Sequence, residues 1–101
     1  MTDAVEVTDN KDALQFEARA EGEVAELLYR LRAGRLVLTH TEVPPALEGR
    51  GIGGKLVVAA LDRARRDGLT IVPLCPFAQS WLERHPDAAR DVNIDWGNAA
   101  G

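Results

Sequence analysis

The segment Gly49-Arg50-Gly51-Ile52-Gly53-Gly54 constrains this chain more than any other. Glycines this dense weaken a strand or a helix interior, because each loses much backbone freedom and packs no side chain. They suit a place where a strand turns sharply into a helix. The residues after them fit that reading: Ile52, Leu56, Ala60 and Ala64, with Val57 and Leu61, form one apolar stripe at i, i+4 spacing. Arg65 and Arg66 fall in the last turn, where cations suit the negative end of the helix dipole, and Gly68 is placed as a C′ residue. The spacing predicts a helix to about residue 67, with Lys55, Asp62, Arg63 and Arg66 turned away from the core.

Upstream, residues 14–20 alternate apolar and polar, which is the period of a half-buried strand. Glu21-Gly22 and Ala33-Gly34 are turn signals separating this segment from residues 24–31, an extended pattern with Leu27, Tyr29 and Leu31 on one side, and then from 35–43, rich in β-branched and apolar residues. Three strands joined by tight turns run antiparallel, a meander that Pro44-Pro45 ends because neither residue can donate to a ladder. Downstream, residues 69–74 are a short apolar run, read as a strand buried on both faces and parallel to the strand ending near Val43, since a helix separates the two. Pro76 fits the first position of a second helix ending at His85, before Pro86.

The expected fold class is therefore α/β, with an α+β mixed sheet: an antiparallel meander followed by strand, helix, strand, helix. Residues 1–12 read as a flexible lead-in, 13–92 as one domain, and 93–101 as a disordered tail, with Val92, Ile94 and Trp96 available for an edge strand. A chain of 101 residues supports one core. Its formal net charge of −4 argues against a nucleic-acid binder driven by phosphate neutralisation. One cysteine, Cys75, allows no internal disulfide and favours a reducing compartment. With neither a signal-peptide stretch nor a membrane-length apolar run, a cytoplasmic protein without a membrane partner is expected.

Three ligand-binding patterns compete for the glycine stretch. G-x-G-x-x-G is a dinucleotide fingerprint only inside a βαβ unit with an acid near the end of the second strand; here a meander precedes it and no acid closes the later strand. G-x-x-x-x-G-K needs Ser or Thr next for magnesium, and Leu56 stands there. The third pattern fits its surroundings. A strand ending in Val43, a proline, then Gly51 and Gly53 opening a helix resembles motif A of the GNAT superfamily of N-acetyltransferases. Glu48 stands where that family carries Arg or Gln, a carboxylate that repels phosphate unless it turns outward. His40-Thr41-Glu42-Val43-Pro44, Pro73-Leu74-Cys75-Pro76-Phe77 and Arg84-His85-Pro86 look like the short stand-alone GNAT-like proteins, over residues 14–90. The resemblance implies a truncated GNAT-like fold, an acetyl-CoA co-substrate and transfer of acetyl to an amine. That amine is unidentified and could be a protein's. The truncation removes the N-terminal helices that shape the acceptor site in full-length members.

The chemistry such a resemblance requires has candidates. Glycine amides at a helix N-terminus approach and attract a pyrophosphate, so Val43, Gly49, Arg50, Gly51, Ile52, Gly53, Gly54 and Lys55 are the expected cofactor-binding residues, with the Arg50 and Lys55 cations assisting. Cys75 falls at the N-cap of the second helix, where the dipole favours a thiolate, and it could accept the acetyl group or protonate departing CoA. The alternative for it is a buried, inert thiol. His40 and Glu42, two apart on a strand, share a side and could deprotonate an incoming amine; a solvent-facing polar edge is the alternative. His85 reads as structural, and Phe77 and Trp81 read as core. No metal site is expected, because Cys75, His40 and His85 lack paired spacing. The rival functions are a non-catalytic acyl-CoA-binding or sensing module and a protein-interaction domain.

Overall fold

The computed structural model describes residues 5–97. Its elements are β1 (Val7–Asn10), β2 (Gln15–Ala20), β3 (Glu23–Arg32), β4 (Arg35–Glu42), a 3-10 turn (Pro45–Leu47), α1 (Ile52–Asp67), β5 (Thr70–Pro73), α2 (Pro76–Arg84) and a second 3-10 turn (Pro86–Ala89). The strands form one sheet in the order β1-β2-β3-β4-β5. All neighbours are antiparallel except β4 and β5, which pair in parallel from Arg35↔Thr70 to Leu38↔Pro73. The meander and its helix-linked parallel strand thus match the mixed sheet expected. Both tight turns carry positive φ at their two central residues, Glu21-Gly22 and Ala33-Gly34, the backbone of hairpins that match strand twist.

Cross-strand pairing places Phe16, Leu27, Ala18 and Ala25 on one face, and Leu36, Leu38 and Ile71 continue it across β4 and β5. All are buried. α1 lays its stripe of Ile52, Leu56, Val57, Ala60, Leu61 and Ala64 on that face, and α2 adds Ala78 and Leu82 to the same cluster. The opposite face, with Glu26, Leu28, His40 and Glu42, is half-buried to exposed. β5 consequently alternates between half-buried and buried residues. This corrects the expectation of a strand buried on both faces: both helices sit on one side, so β5 has a single covered face.

The lead-in is also corrected. Val7–Asn10 is a strand, registered from Val7↔Ala18 to Asn10↔Gln15, and Val5 and Val7 pack against the core. Its anchor is Asp9. Arg63, expected on the outer side of α1, is instead 7% exposed and donates to Asp9 Oδ2 (2.5 Å), to the Tyr29 hydroxyl (3.2 Å) and, through Nε, to Asp67 (2.7 Å). Tyr29 in turn donates to Asp9 Oδ1 at 2.5 Å. At the other end, residues 93–97 are tied down rather than loose. Ile71 donates to the Asn93 carbonyl, Asp95 donates to the Ile71 carbonyl, and Arg35 pairs with Asp95. Only a single parallel bridge, Ile71↔Ile94, forms there. The parts of the lead-in and tail at 1–4 and 98–101 lie outside the described residues.

Candidate functional site

β4 outruns its parallel neighbour. The last β4–β5 pair is Leu38↔Pro73, after which both Leu74 and Cys75 donate their amides to the Leu38 carbonyl at 3.0 Å and the chain turns into α2. Beyond that fork the β5-facing edge of β4 is open, and residues 40–43 line a cleft of about 690 Å³. A register shift at Leu28/Tyr29 leaves Thr39 as an extra residue, since Leu28 faces His40 while Tyr29 faces Leu38. This bulge re-aims the strand end. It sends Thr41 toward the helices and His40 and Glu42 toward the open face, where His40 Nε2 lies 3.3 Å from Glu42 Oε1. The two side chains share a side, as their spacing predicts.

The glycine turn forms the next wall. After the Pro45–Leu47 turn plugs Leu47 into the core, Gly49 (φ 81°) and Gly51 (φ 74°) take left-handed conformations, and Gly51 is the N-cap of α1. Among the described residues no side chain caps it, and the first helical bond is Lys55 N–H to the Gly51 carbonyl at 3.2 Å. The amides ahead of Lys55 are thus the helix's intrinsic orphan donors, at its positive end. Gly51, Ile52, Gly53 and Gly54 all line the cleft.

Gly53 and Gly54 also meet α2. A Cβ on Gly53 would sit 2.6 Å from Phe77 Cζ, and one on Gly54 would sit 2.5 Å from Trp81 Nε1. These two glycines let α2 lie against the start of α1. Phe77, expected in the core, is 37% exposed, while Trp81 packs half-buried against the core cluster, and both form the far wall of the cleft. Arg84 and His85 continue that wall. His85 stacks on Trp81 (centroids 4.0 Å apart, 17° between planes), and its Nδ1 lies 2.8 Å from the Trp81 carbonyl. Because a carbonyl only accepts, Nδ1 carries the hydrogen and Nε2 is the nitrogen left for a ligand. The i, i+4 spacing of the two aromatics was visible in the sequence, but their pairing with Gly53 and Gly54 needed the α1–α2 crossing.

The motif's own cations stand beside the glycine turn rather than in the cleft lining. Arg50 Nη1 donates to Glu21 Oε2 at 2.7 Å, binding the glycine turn to the β2–β3 hairpin. With Lys55, Arg50 lines a neighbouring depression that includes Val5 and Val58 rather than the cleft. Glu48, by contrast, lies on the cleft wall. Cys75 is the N-cap of α2 with Pro76 after it, as expected, yet it is 3% exposed and lies outside the cleft lining. Its Sγ sits 2.9 Å from Thr41 Oγ1, and Thr41 does line the cleft. Tyr29 is buried in the Arg63 network, away from the cleft. Among the described residues no group of three or more His, Cys, Asp or Glu is placed to hold a metal ion. None of their helices is long and apolar enough to cross a membrane.

Known proteins share this sequence pattern. The family model described as GCN5-related N-acetyl-transferase matches residues 15–92. The chain is 36% identical over 85 residues to Protein NATD1 of Gallus gallus, covering 81% of this chain and 77% of that protein. It has the same identity and span to Protein NATD1 of Homo sapiens, covering 75% of the relative. With the Danio rerio Protein NATD1 it shares 35% identity over 83 residues, 79% of this chain and 76% of the relative.

Proposed function

Because this chain belongs to the GCN5-related N-acetyltransferase family, we propose that it transfers acetyl from acetyl-CoA to an amine, with the pyrophosphate at the N-terminus of α1. The observation that carries the reading is the fork at Leu38: an open strand edge, residues 40–43, lies beside uncapped helix amides on one cleft. Amides at a helix start favour an anion, and an unpaired strand edge offers hydrogen bonds to an extended amide-bearing arm such as pantetheine. Val43 and residues 49–54 form the cofactor side. The open sheet face, bearing His40 and Glu42, is the acceptor side.

The attacking amine must first lose a proton. His40 Nε2–H donates to the Glu42 carboxylate, which leaves Nδ1 as the base that takes it. The amine then adds to the thioester carbonyl, the C–S bond breaks, the nitrogen releases its second proton to water, and the departing thiolate takes one from a donor that water then reprotonates. We assign that delivery to the Thr41 hydroxyl, resupplied by the Cys75 thiol behind it. A thiol giving its proton to a thiolate is a near-balanced exchange, so a buried cysteine serves here without touching the acetyl group. Thr41→Val and Cys75→Ala are each expected to lower kcat about tenfold with acetyl-CoA affinity unchanged. That is below the usual contribution of proton transfer, because a thiolate already leaves readily. Thr41→Ser should keep most of the rate, and the double variant should be no slower than either single one. Additive losses would show that the two residues act separately.

The function itself is tested by calorimetric titration with acetyl-CoA, then by detection of released CoA thiol over a panel of primary amines. Binding with amine-dependent thiol release is expected. Binding without release to any amine would leave an acyl-CoA-binding or sensing module, and absence of binding would leave an interaction domain.

A further inference from the structure

Charge in the cleft does not balance on the glycine turn alone. An α-helix N-terminus presents roughly half a positive charge. Glu48, on the same wall, carries a full negative one. His40 and Glu42 face each other across 3.3 Å and engage mutually. Of the two cations that the glycine motif supplies, Arg50 pairs with Glu21, and Lys55 lines a neighbouring depression that shares Gly51, Gly54 and Trp81 with the cleft. Left with these groups, the mouth of α1 has little net positive charge to set against a doubly charged diphosphate.

The remaining basic groups on the cleft wall are Arg84 and His85, at the C-terminal end of α2. We infer that Arg84 is the cationic half of the diphosphate site, facing the α1 amides across the cleft, with His85 donating from Nε2 in its imidazolium form; this rests on the acetyl-CoA reading above. Both are held for the task. Arg84 Nη1 donates to Ser80 Oγ one turn earlier at 3.0 Å, leaving the rest of its N–H fork for phosphate oxygens. The His85 ring is clamped by stacking on Trp81 and by the bond from Nδ1 to the Trp81 carbonyl, so that Nε2 is the atom presented. Arg84 cancels Glu48, and the helix end then leaves the mouth attractive to an anion. Cofactor recognition in this chain is then shared by two helices whose close approach depends on Gly53 and Gly54.

The test compares acetyl-CoA with S-acetylpantetheine, which has the thioester arm and no phosphate, by calorimetry on the full chain. Arg84→Gln and His85→Gln are each expected to weaken acetyl-CoA about tenfold and to leave S-acetylpantetheine unchanged, while Arg84→Lys retains most of the affinity. Unchanged acetyl-CoA affinity in both glutamine variants would overturn the inference. So would an equal loss for both ligands, which would make these residues parts of an apolar wall rather than a phosphate site. Failure of the unsubstituted chain to bind acetyl-CoA would instead overturn the function proposed above.

Discussion

Replacing Arg63 with methionine is expected to destabilise the fold by about 3–5 kcal/mol, the range for removing one partner of a buried ion pair. Arg63 and Asp9 have side chains only 8% and 18% exposed, so solvent screens their interaction little. Methionine keeps the hydrocarbon stem but leaves Asp9 beside the buried Tyr29 hydroxyl with no cation. Tyr29 already titrates above its ordinary range, because burial and the Asp9 carboxylate both disfavour the phenolate. Urea unfolding should show the loss as a lower midpoint, and amides of β1 should lose hydrogen-exchange protection first, since Asp9 is the anchor of that strand. Adding Asp9→Leu should recover much of the stability by removing the stranded charge. Retention of the wild-type midpoint by Arg63→Met would show that the network contributes nothing net.

The same variant has a pH signature. The Arg63 hydrogen bond to Asp67 holds that carboxyl below its ordinary value of 3.8. A depressed carboxyl adds stability that is present above the unfolded pKa and is lost as pH falls through the folded one. Unfolding on acidification below about pH 4 should therefore be steeper in the native chain than in Arg63→Met.

What the sequence disclosed and what it hid divide along one line. Period-two alternation, turn dipeptides and the i, i+4 stripe are local, and they located β2 to β5, both helices, and Cys75 at the start of α2. β1 was hidden because four residues hold too few alternations to register. Its reason for pairing is Asp9 meeting Arg63, 54 positions away. Arg63 itself looked solvent-facing beside Asp62 and Arg65, and only its partners on β1 and β3 make burial tolerable. The site obeyed the same rule. The glycine turn and the His40–Glu42 side were legible; Thr39's bulge, the direction of Arg50 toward Glu21, and the seating of Phe77 and Trp81 on Gly53 and Gly54 depend on contacts between elements.

Gly51→Val is expected to abolish useful cofactor binding, lowering acetyl-CoA affinity at least about a hundredfold, equivalent to two hydrogen bonds to a charged group. The cause is conformational rather than steric crowding, since no described residue lies within 4 Å of a Cβ built there while φ is +74°. A β-branched residue avoids that region at a cost of about 1–2 kcal/mol, so the turn relaxes and the amides of residues 52–54 no longer converge. Gly68 supplies the matched control. It has the same left-handed backbone (φ +68°) and the same empty surroundings, but stands at the opposite end of α1 as its C-cap. Gly68→Val should lose comparable stability in thermal unfolding and keep its acetyl-CoA affinity. If both variants lose stability equally and both bind acetyl-CoA as the native chain does, the orphan amides at the head of α1 do not hold the pyrophosphate. If only Gly51→Val loses binding, the loss belongs to the turn geometry and not to a weakened helix.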